Sequence, residues 1–306
     1  MTDEQSSPIV RRTSHQSRNQ RPESPQRPSK LAKTDGGVEE EEEEERESVE
    51  TSMTPNPRIQ RYFVAIEYIG TRFSGAQKQP VGRTVVGVLE DVFQKFIGQP
   101  VSIFCSSRTD AGVHALSNVC HVDIERISKR KPGEVLPPHE PSVVKRAVNH
   151  FLQKNEGDMM VIDVQCVPSD FHARYKAQER TYFYRILSGK EPLSTFEKDR
   201  AWHVPEELDI LAMQKACQVL VGCHDFSSFR AAACQAKSPI RTLEELSVTE
   251  VASSPYFPSQ LEREQSNHAT LVEWILKAKT VSAASPMAPS CGLYLGHVKY
   301  DLPPNI

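Results

Sequence analysis

No stretch of the 306 residues stays apolar for the about 20 positions that a bilayer core requires. The first residues also lack the apolar centre of a secretory signal. The expectation is a soluble, intracellular protein with no membrane partner. Aromatics are few, at 7%, and hydrophobic residues reach only 38%, so not all of the chain can be core. The seven cysteines (Cys105, Cys120, Cys166, Cys217, Cys223, Cys234 and Cys291) are odd in number and scattered, which excludes a disulfide framework. Cys217, Cys223, His224 and Cys234 invite a zinc reading. Their spacing matches no tight ligand pair, however, and Cys217 falls on the apolar side of an expected helix. Buried thiols and no metal are expected.

The formal charge of -3 shows no basic excess, yet the acid is concentrated at one end. Residues 1–57 are rich in Ser, Pro, Gln and Arg, free of aromatics, and carry "VEEEEEEERESVE" from Val38 to Glu50. Such a segment cannot bury enough apolar surface to offset its ordering entropy, so it reads as a disordered acidic tail. Without those glutamates the rest is neutral to mildly basic, and the net charge is a poor guide to partners. "RPSKLAK" resembles a weak nuclear signal. A mitochondrial presequence should be poor in acids, which Asp3, Glu4 and Glu23 contradict. Nucleus or cytoplasm is expected, with the mitochondrion left open.

From Arg61 the pattern changes. "RYFVAIEYI" reads as a first strand ending at Gly70. Val85, Val88, Leu89, Val92, Phe93, Phe96 and Ile97 recur at helical spacing, with Thr84 as N-cap and Gly98 and Pro100 closing the helix. "VSIFC" (Val101 to Cys105), "SNVCHVDI" (Ser117 to Ile124) and "MMVIDVQCV" (Met159 to Val167) read as strands, and "SVVKRAVNHFLQ" (Ser142 to Gln153) as a helix. A second half then begins. "RTYFYRIL" (Arg180 to Leu187) is strand-like, "LDILAMQKACQVLVG" (Leu208 to Gly222) a helix, and "RTLEELSVTEV" (Arg241 to Val251) a strand. After a polar loop come a short helix, "ATLVEWILKAK", and a last strand, "GLYLGHVKY" (Gly292 to Tyr300). The fold class expected is α+β, in two similar halves of antiparallel or mixed sheet with helices on one face. The division predicted is a tail over 1–57, a first half over 58–175 and a second over 176–306.

"CSSRTDAGVHALSNVCHVD" (Cys105 to Asp123) links two of these strands. A carboxylate in a turn after a buried strand can be held at a sheet edge, and Asp110 is so placed. Arg108 can hold a phosphate or orient the carboxylate, Thr109 can donate a hydrogen bond, and Gly112 lets a substrate backbone come close. An Asx-turn with an incidental Arg-Asp pair fits the spacing equally well. "DAG" is one letter from the Asp-Thr/Ser-Gly of aspartic proteases, but that chemistry needs two carboxylates sharing a proton, and no second such segment exists outside the tail.

"SSRTDAGVHALSNVCHVD" resembles the signature of the TruA family of tRNA pseudouridine synthases. The likeness continues through "IEYIGTRFSGAQKQ" (Ile66 to Gln79), "PSDFHARYKAQERTYFYRI" (Pro168 to Ile186), "LVGCHDFSSFRAAACQAKSPIRT" (Leu220 to Thr242) and "GLYLGHVKY". It implies an enzyme that detaches uracil from ribose and rejoins it through carbon, with no cofactor, acting on tRNA as a homodimer. The motif puts the catalytic role on Asp110. A uridine in a stem must be flipped out and supported by stacking. The family's active-site tyrosine maps onto Tyr182, whereas Tyr184, of the same strand parity, keeps a core reading with its hydroxyl satisfied. Arg108 resembles the arginine that contacts RNA, and His172, Arg174, Arg180, Arg230 and Arg241 match basic positions that would line a phosphate-binding surface. His114 and His121, lacking a third ligand, read as polar neighbours or RNA contacts.

The chain also departs from the family. After the strand matching "RTLEELSVTEV", members carry another strand and a helix with a Phe-x-x-x-x-Val-Arg pattern, and neither is visible here. The resemblance then implies a second half incomplete after about Val251, a sheet that loses an interior strand or exposes an edge, and an Asp110 without one cationic partner. Beside an active synthase stand an inactive or weakened RNA-binding relative and a scaffold that binds through its acidic tail.

Overall fold

The structure, a computed structural model, describes residues 58–131, 133–230, 238–250 and 287–302. The acidic tail, Cys234 and the expected helix "ATLVEWILKAK" lie outside the described residues. The elements are β1 (Ile59–Tyr68), α1 (Val85–Ile97), β2 (Ile103–Cys105), β3 (His114–Glu125), α2 (Pro141–Lys154), β4 (Met159–Val167), β5 (Glu179–Tyr184), β6 (Ile186–Ser188), β7 (Trp202–Val204), α3 (Ile210–Leu220), β8 (Gly222–Asp225), β9 (Ile240–Leu243) and β10 (Leu293–Lys299). The α+β class expected from the pattern is observed.

Helix α1 begins and ends where its sequence says it should. Thr84 Oγ1 accepts the Gly87 N–H at 3.2 Å, and Gly98 N–H closes the last turn on the Gln94 carbonyl. Val85, Val88, Leu89, Val92 and Phe93 are buried on one face. That face meets Val144, Val148 and Leu152 of α2 and the apolar side of β1, β3 and β4 in one core.

The main sheet has the order β4-β1-β3-β10-β5, with β2 also paired to β3. Antiparallel β1 takes one edge of β3 over nearly its whole length, from Ile59↔Glu125 to Tyr68↔Ala115. The other edge is shared. β2 occupies its far part, with Cys105 opposite Cys120, and β10 runs parallel to its beginning, with Tyr294 opposite His114. The segment from Ser106 to Val113 leaves the sheet between these two partners, which places Asp110 where β2 gives way to β10.

Three details differ from the sequence reading. The strand expected over Arg180–Leu187 breaks at Arg185, whose N–H goes to the Gly292 carbonyl at 2.8 Å while its carbonyl accepts from Trp202 at 3.0 Å. The chain thereby passes from β10 to a separate two-stranded parallel pair, β6 and β7. The strand expected over Arg241–Val251 extends only to Leu243, because its partner β8 runs out: Leu243 pairs with Gly222, where α3 has just ended. Not every thiol is buried, since Cys166 and Cys223 are exposed. Among the described residues β5 is a sheet edge, and its Tyr182, Phe183 and Tyr184 are 46%, 51% and 36% exposed.

Candidate functional site: the Asp110 loop

Asp110 is exposed, on a turn closed by Val113 N–H donating to the Asp110 carbonyl at 3.1 Å. Among the described residues nothing forms a hydrogen bond or ion pair with its carboxylate. Gly112 has φ of +85°, a conformation that favours glycine. The expectation was that Gly112 makes room for a substrate backbone. The closest neighbour of that face is Ser290, whose Oγ would lie 2.3 Å from an added Cβ.

The residues before Asp110 are held from beneath by two buried side chains. Asn118, on β3 and fully buried, donates from Nδ2 to the Ser107 carbonyl (3.2 Å) and to Tyr68 Oη (3.1 Å). Its Oδ1 accepts from Ser106 Oγ at 2.8 Å. Tyr68 Oη is 2.8 Å from Thr109 Oγ1. Burial, above all, holds the Tyr68 phenol well above its ordinary pKa, so it stays protonated. Its oxygen accepts from Asn118 Nδ2 and shares a hydrogen bond with the Thr109 hydroxyl, in which either oxygen can donate.

A second wall is the Gly70–Arg83 segment. A Cβ on Gly70 would fall 1.8 Å from the Val113 carbonyl oxygen, so only glycine permits this approach. Ala76 N–H donates to the Thr109 carbonyl at 2.9 Å. The segment is fixed by Arg83, which makes a two-pronged contact with buried Asp158 at 2.7 and 2.8 Å and lies 4.2 Å from the Phe73 ring centroid.

From β5 comes Arg180. Its Nε donates to Ser107 Oγ at 3.1 Å and one Nη to the Ser106 carbonyl at 2.9 Å and the Arg174 carbonyl at 3.3 Å. Arg180, Arg174 and the Asp110 loop are thus in one place. Tyr182 lies two residues along β5 from Arg180 and shares its face of the strand. Tyr184 satisfies its hydroxyl on the Pro289 carbonyl at 2.6 Å, as read, but is partly exposed rather than core. Arg108 is half-buried beside Asp110, and the Arg174 guanidinium lies 5.8 Å from the Tyr175 ring. Arg241 turns one Nη onto its own neighbour's carbonyl, Ile240, at 2.7 Å. Arg241 sits on β9, and Arg230 follows the turn after β8; neither strand belongs to the main sheet.

His114 and His121 belong to the interior, not to an RNA-facing surface; each is 3% exposed. Gly70 N–H donates to His114 Nδ1 at 3.2 Å, so the ring proton sits on Nε2 and goes to the Asp199 carbonyl at 3.1 Å. The ring stacks on Tyr294 at 4.5 Å, across the β3–β10 join. Burial lowers its pKa, which keeps it neutral. His121 Nδ1 accepts from Ala173 N–H at 3.2 Å, and the ring stacks on Phe104 at 5.1 Å. Burial first, then His172 and Arg61, push its pKa down to about 2. Among the described residues no His, Cys, Asp and Glu cluster could hold a metal.

Sequence reasoning overlooked Tyr68, Asn118, Ser106 and Ser107. Their signal was present: Asn118 shares its strand face with Cys120, Val122 and Ile124, and an amide on an apolar face needs partners nearby.

A family model described as tRNA pseudouridine synthase matches residues 64–176 and 216–261. The chain is 39% identical over 258 residues to tRNA pseudouridine synthase A of Parvibaculum lavamentivorans, covering 79% of this chain and 99% of that one. It is 37% identical to tRNA pseudouridine synthase A of Paramagnetospirillum magneticum, covering 79% of this chain and 95% of that one. The matched region holds the Asp110 loop and both of its walls, and on this evidence the chain belongs to the TruA family of tRNA pseudouridine synthases.

Proposed function

We propose that this protein isomerises uridine to pseudouridine in tRNA with Asp110 as its catalytic carboxylate. The observation that supports this most is the contrast between an exposed carboxylate and a loop backbone fixed on three sides. A carboxylate so presented can attack the ribose or base, or take a proton, without first ordering itself. The reaction is balanced within the substrate: the N1–C1′ bond breaks, uracil turns, the C5–C1′ bond forms, C5 loses its proton and N1 gains one. No redox cofactor takes part.

In this reading the uridine leaves its stack and rests against Tyr182, whose exposed ring on β5 offers a stacking surface beside the loop. Arg108 contacts the strand the base has left. Arg174 and Arg180 set positive charge beside the departing backbone, where phosphates gather. The enzyme works as a homodimer, as its family resemblance implies.

The domain is built of two similar halves, 58–175 and 176–306, joined at β3 and β10. The second is incomplete after about Val251, lacking the family strand and helix that follow there. The lack of any Phe-x-x-x-x-Val-Arg pattern after Val251 supports this. A chain carrying a family-like strand and Val-Arg helix after Val251 is then more stable and more active than this one.

The test is Asp110→Asn. The amide keeps the shape and loses the nucleophile or base. Carbodiimide mapping of treated tRNA should show pseudouridine with the wild type and none with the variant, while tRNA binding survives. Wild-type pseudouridine levels with the variant would remove Asp110 from the mechanism.

A further inference from the structure

Beneath Asp110 lies a polar network that a folded core does not need. Asn118 could be an apolar residue of the same strand, like its neighbours Val119 and Val122, and Tyr68 could be phenylalanine. Instead the two side chains make four hydrogen bonds, one to each other and three to the loop. Three of the four residues that precede Asp110 are held: Ser106 through its hydroxyl, Ser107 through its carbonyl, Thr109 through its hydroxyl.

We propose that Tyr68 and Asn118 are positioning residues, which act through Thr109 and the Ser106–Ser107 backbone to set the direction of the Asp110 carboxylate. The proposal rests on the reading of Asp110 as the catalytic group. Both side chains are inaccessible to a substrate, at 4% and 0% exposure, so any effect on the reaction passes through the loop. The contacts form one chain: Asn118 donates to the Tyr68 oxygen, and the Tyr68 and Thr109 hydroxyls share a hydrogen bond at 2.8 Å. Thr109 is the last link before Asp110, and its carbonyl is occupied by Ala76 N–H at 2.9 Å. Side chain and backbone of Thr109 are each fixed by a different segment, which leaves the next residue little freedom to reorient. A reacting group displaced by about 1 Å can lose on the order of 10²-fold in rate.

The experiment compares Tyr68→Phe, Thr109→Val and Thr109→Ser with the wild type and with Asp110→Asn in the full chain, on a tRNA transcript. Tyr68→Phe and Thr109→Val each remove one hydroxyl and keep the volume. Each should lower single-turnover pseudouridine formation about 10- to 100-fold with tRNA Kd unchanged. The double variant should be little worse than either single one, because both cut the same link. Thr109→Ser, which restores the hydroxyl, should recover most of the rate.

A merely structural role gives another pattern: lowered Tm for Phe and Val, but wild-type rate per folded molecule at a temperature where all are folded. That result would overturn the proposal, as would a Thr109→Ser variant as slow as Thr109→Val. Activity of Asp110→Asn separates the two levels. If it is inactive while Tyr68→Phe and Thr109→Val keep the wild-type rate, the positioning role fails and the reading of Asp110 stands. If Asp110→Asn is active, the reading itself fails.

Discussion

Arg180 Nε donates to Ser107 Oγ at 3.1 Å, joining β5 to the loop after β2, three residues before Asp110. The same guanidinium also reaches the Ser106 carbonyl at 2.9 Å. A lysine ammonium has no planar fork and cannot reproduce both contacts in this geometry. Arg180→Lys should therefore behave more like Arg180→Ala than like the wild type. A hydrogen bond from a charged donor is worth about 1.5–3 kcal/mol, so kcat/KM should fall about tenfold or more in each variant. Steady-state kinetics checks this, and a lysine variant with full activity would show that charge alone matters there.

His121 predicts a pH dependence of stability. Its pKa lies near 2 in the folded protein because the ring is buried, and near 6.5 when unfolded. Between those values the unfolded state holds a proton that the folded state refuses. Stability then rises with pH, is complete above about 6.5, and is lost on acidification by up to about 1.4 kcal/mol per pH unit. His114, also lowered by burial, adds in the same direction. His121→Phe should flatten the fall in Tm between pH 7.5 and pH 5.5 whatever its own stability. An unchanged slope would assign the acid sensitivity to other groups.

tRNA binding should weaken steeply with salt, because phosphate contacts release counterions. Arg108→Ala should lower affinity and reduce the magnitude of the log–log salt slope by about 1 if it touches one phosphate. Removal of residues 1–57 should leave both intact. Filter binding or anisotropy across a salt series measures them. A constant that is flat with salt and lost with the acidic tail would favour a scaffold.

Cys105 and Cys120 face each other across β2 and β3 with sulfurs 2.7 Å apart. Their neighbours Ser106 and Val119 form a hydrogen-bonded pair, so the thiols occupy the adjacent non-bonded position, where side chains come closest. Oxidised glutathione should convert them to a disulfide: Cys105 attacks and releases one glutathione, then the Cys120 sulfur displaces it and releases the second. The staple closes a short loop and should raise stability by up to about 3 kcal/mol. Peptide mapping by mass and a thermal melt test it, with Cys105→Ser as control. Two free thiols at these positions after treatment would defeat it.

Much of this was legible because it is local. The α1 periodicity, its Thr84 cap and the β1 and β4 strands need no knowledge of the rest of the chain, and the Asp110 motif is one contiguous run. What was hidden is long-range. His114 reads from sequence as a polar neighbour or an RNA contact because nothing nearby in sequence announces Tyr294 above its ring or the Asp199 carbonyl at its Nε2. Arg180 was visible as a charge, but its partners are carbonyls and a hydroxyl of another segment, which carry no signature. The strand over Arg241–Val251 had the right residues for a sheet and too short a partner.

The place of β10 in the sheet also bears on how the protein is made. It is the last strand of the described chain and it lies between β3 and β5, not at an edge. While the ribosome is still working upstream of Leu293, the whole Asp110 motif has emerged, yet His114 has no ring to stack on and the beginning of β3 presents bare backbone to whatever strand comes by. Assembly of the site thus waits until β10 has been made. A nascent chain is held in a state prone to mispairing until then, and a message cut short before this strand yields a polypeptide that carries the motif but not the sheet that supports it.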